Sequence, residues 1–173
     1  MKMSLIIGGS GSGKSEFAEA LCLKEGNHRL YIATMEPFGE EGKQRVERHH
    51  QLRKGKGFET LECYTRLESI PLKGYDVILV ECISNLVANE LYSNLGRKNP
   101  QKDIILAIDY LLKKCNHLIV VTNNTGEEIV DYGEDMIAYQ KELGLVNQLL
   151  ARKADKVLEI VLGQPIEYKE FMK

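Results

Sequence analysis

Residues 8–15 read Gly-Gly-Ser-Gly-Ser-Gly-Lys-Ser and match the pattern G-x-x-x-x-G-K-[ST] at every fixed position. The apolar run Ser4–Ile7 before them predicts a buried strand, and the segment from Glu16 predicts a helix. Glycines let successive backbone N–H groups point at phosphate oxygens, and the helix N-terminus adds positive potential. A glycine-rich turn that binds nothing would not require this order of elements. The stretch therefore predicts a nucleoside triphosphate site, in which Lys14 contacts the phosphates and Ser15 holds Mg²⁺.

Composition sets the class of protein. The chain has 173 residues and a net charge of −2, which predicts one domain over residues 1–173 and no bulk attraction to nucleic acid. The four cysteines form no C-x-x-C pair, which argues against a zinc site and favours a reducing cytoplasm. Since no apolar run reaches the length of a membrane span and no signal peptide is visible, we expect a cytoplasmic protein without a membrane span.

Strand and helix patterns alternate along the chain, which predicts a largely parallel sheet with helices on both faces. The predicted helices are 16–24, 40–53, 85–92, 103–114 and 135–153. The predicted strands are 4–7, 30–34, 58–62, 75–81, 117–122 and 156–162, with a further edge strand at 166–168. The fold class expected from this order is a three-layer α/β domain of the P-loop NTPase type.

The carboxyl edge of such a sheet is where ligands collect. The strand 30–34 would leave Ala33, Thr34 and Met35 at that edge, beside the phosphate loop. The apolar run 75–81 ends in Glu81, which matches the acid that supports Mg²⁺ in phosphate-loop enzymes. A strand-end carboxylate that only faces water remains the alternative at this point.

The predicted helix 40–53 has few apolar residues and so does not belong to the core. Arg45, His49 and Arg53 are spaced i, i+4 and i+8, which puts them on one face, whereas His50 should project about 100° away from His49. Two guanidiniums beside an imidazole suit a polyphosphate. A solvated helix with charges of both signs is the competing interpretation.

Taken together, these motifs resemble the bifunctional adenosylcobinamide kinase / adenosylcobinamide-phosphate guanylyltransferases of cobalamin synthesis. The resemblance covers nearly the whole chain. It rests on residues 8–15 (GGSGSGKS), 31–34 (YIAT), 45–50 (RVERHH), 60–62 (TLE), 79–84 (LVECIS), 121–126 (VTNNTG) and 144–157 (GLVNQLLARKADKV).

The resemblance implies a RecA-like fold and two activities in one chain. In the first, GTP or ATP phosphorylates the aminopropanol hydroxyl of adenosylcobinamide. In the second, a histidine attacks the α-phosphate of GTP, releases pyrophosphate and carries GMP to adenosylcobinamide phosphate. The R-[IV]-x-x-H pattern of the family runs here from Arg45 to His49, which makes His49 the expected nucleophile. Lys14 and Glu81 are the other expected catalytic residues.

The expected nucleotide and metal contacts follow from the same match. Mg²⁺ should lie between Ser15 and Glu81. The nucleotide-binding set is Gly8, Gly9, Ser10, Gly11, Ser12, Gly13, Lys14, Ser15, Ala33, Thr34, Met35, Arg45, His50, Gln51, Leu52, Arg53, Glu62 and Glu81. The resemblance also implies a homo-oligomer, specifically a homotrimer with sites near subunit boundaries.

Some features depart from the family and leave alternatives open. Relatives often carry arginine within the phosphate loop and tryptophan before the T-x-E triplet, and this chain has neither. A P-loop kinase of another small metabolite would need the loop and Glu81 but not His49. A RecA-like nucleotide-gated binding protein would need no transfer chemistry. The sequence does not distinguish ATP from GTP as phosphoryl donor, nor does it identify residues that bind the corrinoid.

Overall fold

The computed structural model describes residues 1–37, 39–96, 98–124 and 134–168, except for the side chains of Glu41, Arg45, His49, Leu52 and Glu134. The strands are β1 Lys2–Gly8, β2 Arg29–Ala33, β3 Phe58–Glu62, β4 Tyr75–Glu81, β5 Cys115–Asn123, β6 Lys156–Val161 and β7 Gln164–Glu167. The helices are α1 Lys14–Glu25, α2 Gly39–Arg53, α3 Ile83–Tyr92, α4 Pro100–Leu112 and α5 Glu134–Lys153.

All seven strands form one sheet in the order β3-β2-β4-β5-β1-β6-β7. Every neighbouring pair is parallel except β6–β7, which is antiparallel. This confirms the predicted α/β class with a mostly parallel sheet. The order places β1, which leads into the phosphate loop, between β5 and β6.

Side chains that alternate along the central strands build two separate cores. On β4, Ile78 and Val80 pack with α3, α4 and α5, whereas Val77 and Leu79 pack with α1 on the opposite face. All four side chains are fully buried. Continuous apolar strands of this kind are expected when helices cover both faces of a parallel sheet. The result is a three-layer arrangement.

Two element boundaries differ from the prediction for identifiable reasons. Helix α4 begins at Pro100, earlier than predicted, because Asn99 caps its N-terminus by accepting from the Lys102 N–H and because proline is favourable in the first turn. The edge strand β7 begins earlier than predicted and includes Pro165. The reason is that the turn before it contains only Leu162 and Gly163, whose φ values are 50° and 77°. Two left-handed residues form the type of tight hairpin turn that matches strand twist.

Helix α2 lies apart from the two cores. Many of its side chains are exposed, and Arg53 at its C-terminal end is the one buried charged side chain among those described on this helix. The helix therefore depends on polar contacts with the carboxyl edge of the sheet. No described helix is both long enough and apolar enough to cross a membrane.

Candidate active site

The phosphate loop connects β1 to α1, as the sequence predicts. Gly11 and Gly13 have φ of 72° and 89°, which L-residues with a side chain rarely adopt. The Lys14 ammonium donates to the Gly9 carbonyl at 2.9 Å, so its side chain folds back over the loop. This is the geometry of an anion cradle closed by a lysine.

The register of the sheet brings the ends of five strands to one edge. Ala33 is paired with Glu62 of β3 on one side and with Glu81 of β4 on the other. Gly8 is paired with Asn123 of β5 at the same edge. The strand ends that the sequence analysis singled out therefore lie side by side, next to the phosphate loop.

Glu81 makes two hydrogen bonds within this edge. Its Oε1 accepts from the Ser15 hydroxyl, and its Oε2 accepts from the Tyr31 hydroxyl at 2.8 Å. Burial, reinforced by the Glu81 charge, raises the pKa of Tyr31, which keeps the phenol protonated and able to donate. A hydroxyl and a carboxylate oxygen in contact beside a phosphate cradle are hard donors of the kind that Mg²⁺ prefers. The residues present therefore fit the predicted magnesium site.

A cavity of about 340 Å³ opens at this edge. It is lined by Ser10, Gly11, Lys14, Ser15, Tyr31, Ala33, Met35, Val46, His50, Arg53, Glu62, Glu81, Cys82, Asn85 and Asn123. Ten of these lining residues belong to the predicted nucleotide-binding set, and they come from three separate places in the chain, namely the phosphate loop, the strand ends and α2. The volume falls within the range typical of ligand pockets.

Helix α2 presents Val46, His50 and Arg53 to the cavity. These residues are spaced i, i+4 and i+7, which is one helix face. The prediction that His50 lies off the Arg53 face is therefore wrong, because a three-residue separation brings two side chains to the same side of a helix. The predicted partners Arg45, His49 and Leu52 belong to α2, but their side chains lie outside the described residues.

Among the described side chains of α2, Arg53 is the most deeply buried charge, with 5% of the residue exposed. Its guanidinium carbon lies 3.8 Å from the centroid of the Tyr31 ring. Neither Nε nor Nη1 has a hydrogen-bond partner among the described residues. Buried donors normally have partners, so an arginine of this kind in a cavity is suited to receive an anionic ligand.

His50 lies closer to the mouth of the cavity. Its Nε2 is 3.1 Å from Glu62 Oε1, and both side chains are about 40% exposed. The angles at this contact do not meet those of a hydrogen bond. The predicted residues His50 and Glu62 are thus brought together in the lining of the cavity.

Two other predicted contacts are placed elsewhere. Thr34 is fully buried, and its hydroxyl donates to the Cys82 carbonyl at 2.7 Å, which ties β2 to the end of β4. Gln51 is exposed and donates to Glu47 at 2.6 Å along α2. The structure does not direct either side chain at the cavity.

Five lining residues are absent from the predicted nucleotide-binding set, namely Tyr31, Val46, Cys82, Asn85 and Asn123. Asn85 lies in the first turn of α3, just after the end of β4, and Asn123 ends β5, so nearness to a strand end is the signal that the sequence offers for both. Cys82 directly follows Glu81. Tyr31 could not be found this way, because it lies inside an apolar strand and its role depends on two residues distant in sequence.

The model of the cobinamide kinase / cobinamide phosphate guanyltransferase family matches residues 4–168. The chain belongs to this family. Known members are similar over almost their full length. The chain is 32% identical to the bifunctional adenosylcobalamin biosynthesis protein CobU of Salmonella typhimurium, covering 96% of this chain and 99% of that protein. It is 31% identical to the protein CobP of Pseudomonas aeruginosa, covering 95% and 96% respectively.

Solved structures place the family within a wider fold. The RadB recombinase superimposes with a TM-score of 0.51 at 16% identity, covering 91% of this chain and 73% of that one. The KaiC-like protein PH0186 of Pyrococcus horikoshii gives a TM-score of 0.51 at 11% identity, covering 91% and 71%. At these identities the likeness concerns the fold alone. It agrees with the RecA-like P-loop architecture expected from the sequence.

Proposed function

We propose that this chain phosphorylates adenosylcobinamide with a nucleoside triphosphate and then converts adenosylcobinamide phosphate to adenosylcobinamide-GDP with GTP. The observation that carries the proposal is the single cavity in which the phosphate loop, Glu81 and the cationic face of α2 meet. A P-loop kinase requires the first two of these features. The third feature supplies a further cation, which suits a second reaction on the nucleotide.

In the kinase step, the substrate hydroxyl attacks the γ-phosphorus, and the bond between the γ-phosphorus and the bridging oxygen of the leaving diphosphate breaks. The loop N–H groups and Lys14 stabilise the charge on the β- and γ-phosphoryl oxygens. No covalent carrier is needed, because positioning and charge stabilisation supply the catalysis. Either ATP or GTP fits this chemistry.

In the guanylyl step, an imidazole nitrogen attacks the α-phosphorus of GTP and pyrophosphate leaves. An oxygen of the substrate phosphate then attacks the same phosphorus, and the phosphorus–nitrogen bond breaks to free the histidine. Arg53 is suited to stabilise charge on the transferred group, since its buried guanidinium has two N–H groups without partners among the described residues.

We assign the nucleophile to His49, on the strength of the R-V-E-R-H pattern that begins at Arg45. His50 is the competing candidate, because its ring lines the cavity. Its Nε2 lies 3.1 Å from a carboxylate oxygen of Glu62, so this nitrogen faces Glu62 across the cavity lining. This supports a binding role for His50 beside a nucleophilic His49.

Mg²⁺ accompanies the triphosphate in this proposal. Ser15 and Glu81 would hold it, because their oxygens are in contact at the foot of the cradle. When bound, the cation neutralises phosphate charge. We also propose that the protein works in the cytoplasm as a homo-oligomer, specifically the homotrimer that the family resemblance implies.

A two-label experiment tests the proposed function. The protein is incubated with adenosylcobinamide, Mg²⁺ and GTP labelled at either the γ- or the α-phosphate, and the corrinoid products are separated. We expect γ-label in adenosylcobinamide phosphate and α-label in adenosylcobinamide-GDP. Transfer of γ-label alone would favour a plain kinase, and transfer of neither would favour a nucleotide-gated binding protein.

A further inference from the structure

Tyr31 contacts two groups of the nucleotide site, although it is not among the site residues predicted from the sequence. It belongs to β2 and is 2% exposed. Its hydroxyl donates to Glu81 at 2.8 Å, and its ring lies under the Arg53 guanidinium at 3.8 Å. One side chain thus contacts the acid expected at the metal and the arginine expected at the transferred phosphate.

The surroundings of Tyr31 leave its ring little freedom. The Phe58 ring meets it edge-on, with centroids 6.1 Å apart, and Ile6, Val77 and Leu79 belong to the same buried cluster. A phenol ring held in this way keeps its hydroxyl directed at Glu81. Because the Ser15 hydroxyl occupies the other oxygen of Glu81, the two hydrogen bonds together fix the carboxylate plane.

The contact with Arg53 provides the second half of the link. A guanidinium stacked on a buried aromatic ring is attracted to the face of the ring and takes a defined orientation. Of the α2 side chains that the structure describes, Arg53 is the buried charged one, whereas Glu47, Arg48 and Gln51 are exposed. The Tyr31 ring is therefore the contact that seats the C-terminal end of this helix at the cavity.

We infer that Tyr31 is a positioning residue that joins the two reactions: it aims the Glu81 carboxylate through its hydroxyl and seats Arg53 of α2 through its ring. This inference rests on the proposed function, since it assigns Glu81 to the metal site and Arg53 to the nucleotide. Tyr31 touches neither the phosphates nor the reacting atoms in this role. It acts through its two partners.

The two functions of Tyr31 can be separated by substitution. Tyr31→Phe keeps the ring and removes the hydroxyl, so it should affect only the Glu81 side. Tyr31→Leu removes both contacts. The matched control is Tyr75→Phe, which removes a tyrosine–carboxylate hydrogen bond of 2.9 Å to Glu59 on the exposed surface. Thermal unfolding of each variant establishes that it folds.

The readout is the affinity for a fluorescent GTP analogue over a range of Mg²⁺ concentrations, which needs no corrinoid. For Tyr31→Phe we expect the Mg²⁺ concentration at half-maximal effect to rise about threefold or more, as for loss of a hydrogen bond to a charged group. Affinity at saturating Mg²⁺ should change little. The Tyr75→Phe protein should follow the wild type.

A double-mutant cycle tests the Arg53 side. Arg53→Met and Tyr31→Leu should each weaken binding of the analogue, and their combined loss should fall short of the product of the single losses by about twofold or more. Arg53→Lys keeps the positive charge but removes the planar group that stacks on the ring. It should lower the affinity for the analogue when Tyr31 is present and should have no such effect in the Tyr31→Leu protein.

Two results would overturn the inference. One is a Tyr31→Phe protein whose Mg²⁺ dependence equals that of the wild type and Tyr75→Phe. The other is a cycle in which the effects of Tyr31→Leu and Arg53→Met multiply. Because both measurements use nucleotide binding, their outcome is independent of whether the protein transfers phosphate or GMP to a corrinoid.

Discussion

At the scale of single residues, the site combines groups that the sequence reveals with groups that it hides. Lys14, Ser15 and Glu81 could be predicted, because fixed motif positions and a strand end define them. His50 is among the predicted contacts, but it shares a helix face with Arg53, contrary to the expectation from the sequence. Tyr31 could not be predicted, because it looks like an ordinary residue of an apolar strand. Its hydroxyl contacts Glu81 and its ring contacts Arg53, and both partners are distant in sequence.

The charge of Lys14 accounts for tight binding of the triphosphate. Lys14→Ala should weaken GTP binding by about tenfold to 100-fold and reduce both activities, since each reaction begins from a triphosphate. Isothermal titration with GTP and Mg²⁺ measures the loss. Lys24→Ala, an exposed lysine at the other end of α1, is the matched control and should bind normally. Unchanged affinity in Lys14→Ala would refute the phosphate-loop assignment.

The charge of Glu81 should govern the Mg²⁺ requirement. Glu81→Gln keeps the shape of the side chain and its capacity to accept from Ser15, but it removes the negative charge. We expect turnover at limiting Mg²⁺ to fall about tenfold or more, with partial recovery at high Mg²⁺. Initial rates across a Mg²⁺ series provide the measurement, and Glu59→Gln on the exposed surface provides the baseline. Equal rates for both variants would remove Glu81 from the metal site.

At the scale of elements, strand ends and loops could be predicted better than the placement of α2. Its bounds were expected almost to the residue, but its orientation depends on tertiary contacts. Val46, His50 and Arg53 face the cavity because Arg53 stacks on Tyr31 and His50 approaches Glu62. A polar helix without an apolar stripe carries no pattern that fixes its inward face.

The start of the phosphate loop is tightly packed at one glycine and open at the next. A Cβ added to Gly8 would lie 2.6 Å from Ser12 Oγ and 2.8 Å from the Ile160 carbonyl oxygen, whereas one added to Gly9 would meet nothing within 4 Å. Gly8→Ala should therefore lower the free energy of unfolding by about 1–3 kcal/mol. Gly9→Ala should leave it nearly unchanged. Urea denaturation of both variants provides the comparison, and equal stabilities would contradict this packing.

At the scale of the whole molecule, the class of fold follows from alternating strands and helices, but the strand order does not. The sequence contains no direct record that β1 lies between β5 and β6, since such neighbours are chosen by packing over long separations. That order brings Gly8, Ala33, Glu62, Glu81 and Asn123 to one edge. One cavity can then serve two reactions on nucleotides.

The proposed trimer is also a property of the whole molecule. Light scattering coupled to size exclusion should give three times the chain mass of 19.6 kDa. The mass should be independent of GTP if the assembly is constitutive. A single-chain mass at micromolar concentration would contradict the proposal, without bearing on the chemistry of the cavity.

The central claim is that a histidine of α2 carries GMP, and that this histidine is His49. The measurement is uptake of label from GTP labelled at the α-phosphate by the wild type, His49→Asn and His50→Asn, with kinase activity assayed in parallel. We predict acid-labile, alkali-stable label on the wild type and His50→Asn, and none on His49→Asn, which should retain kinase activity. Label retained by His49→Asn and lost by His50→Asn would contradict the assignment.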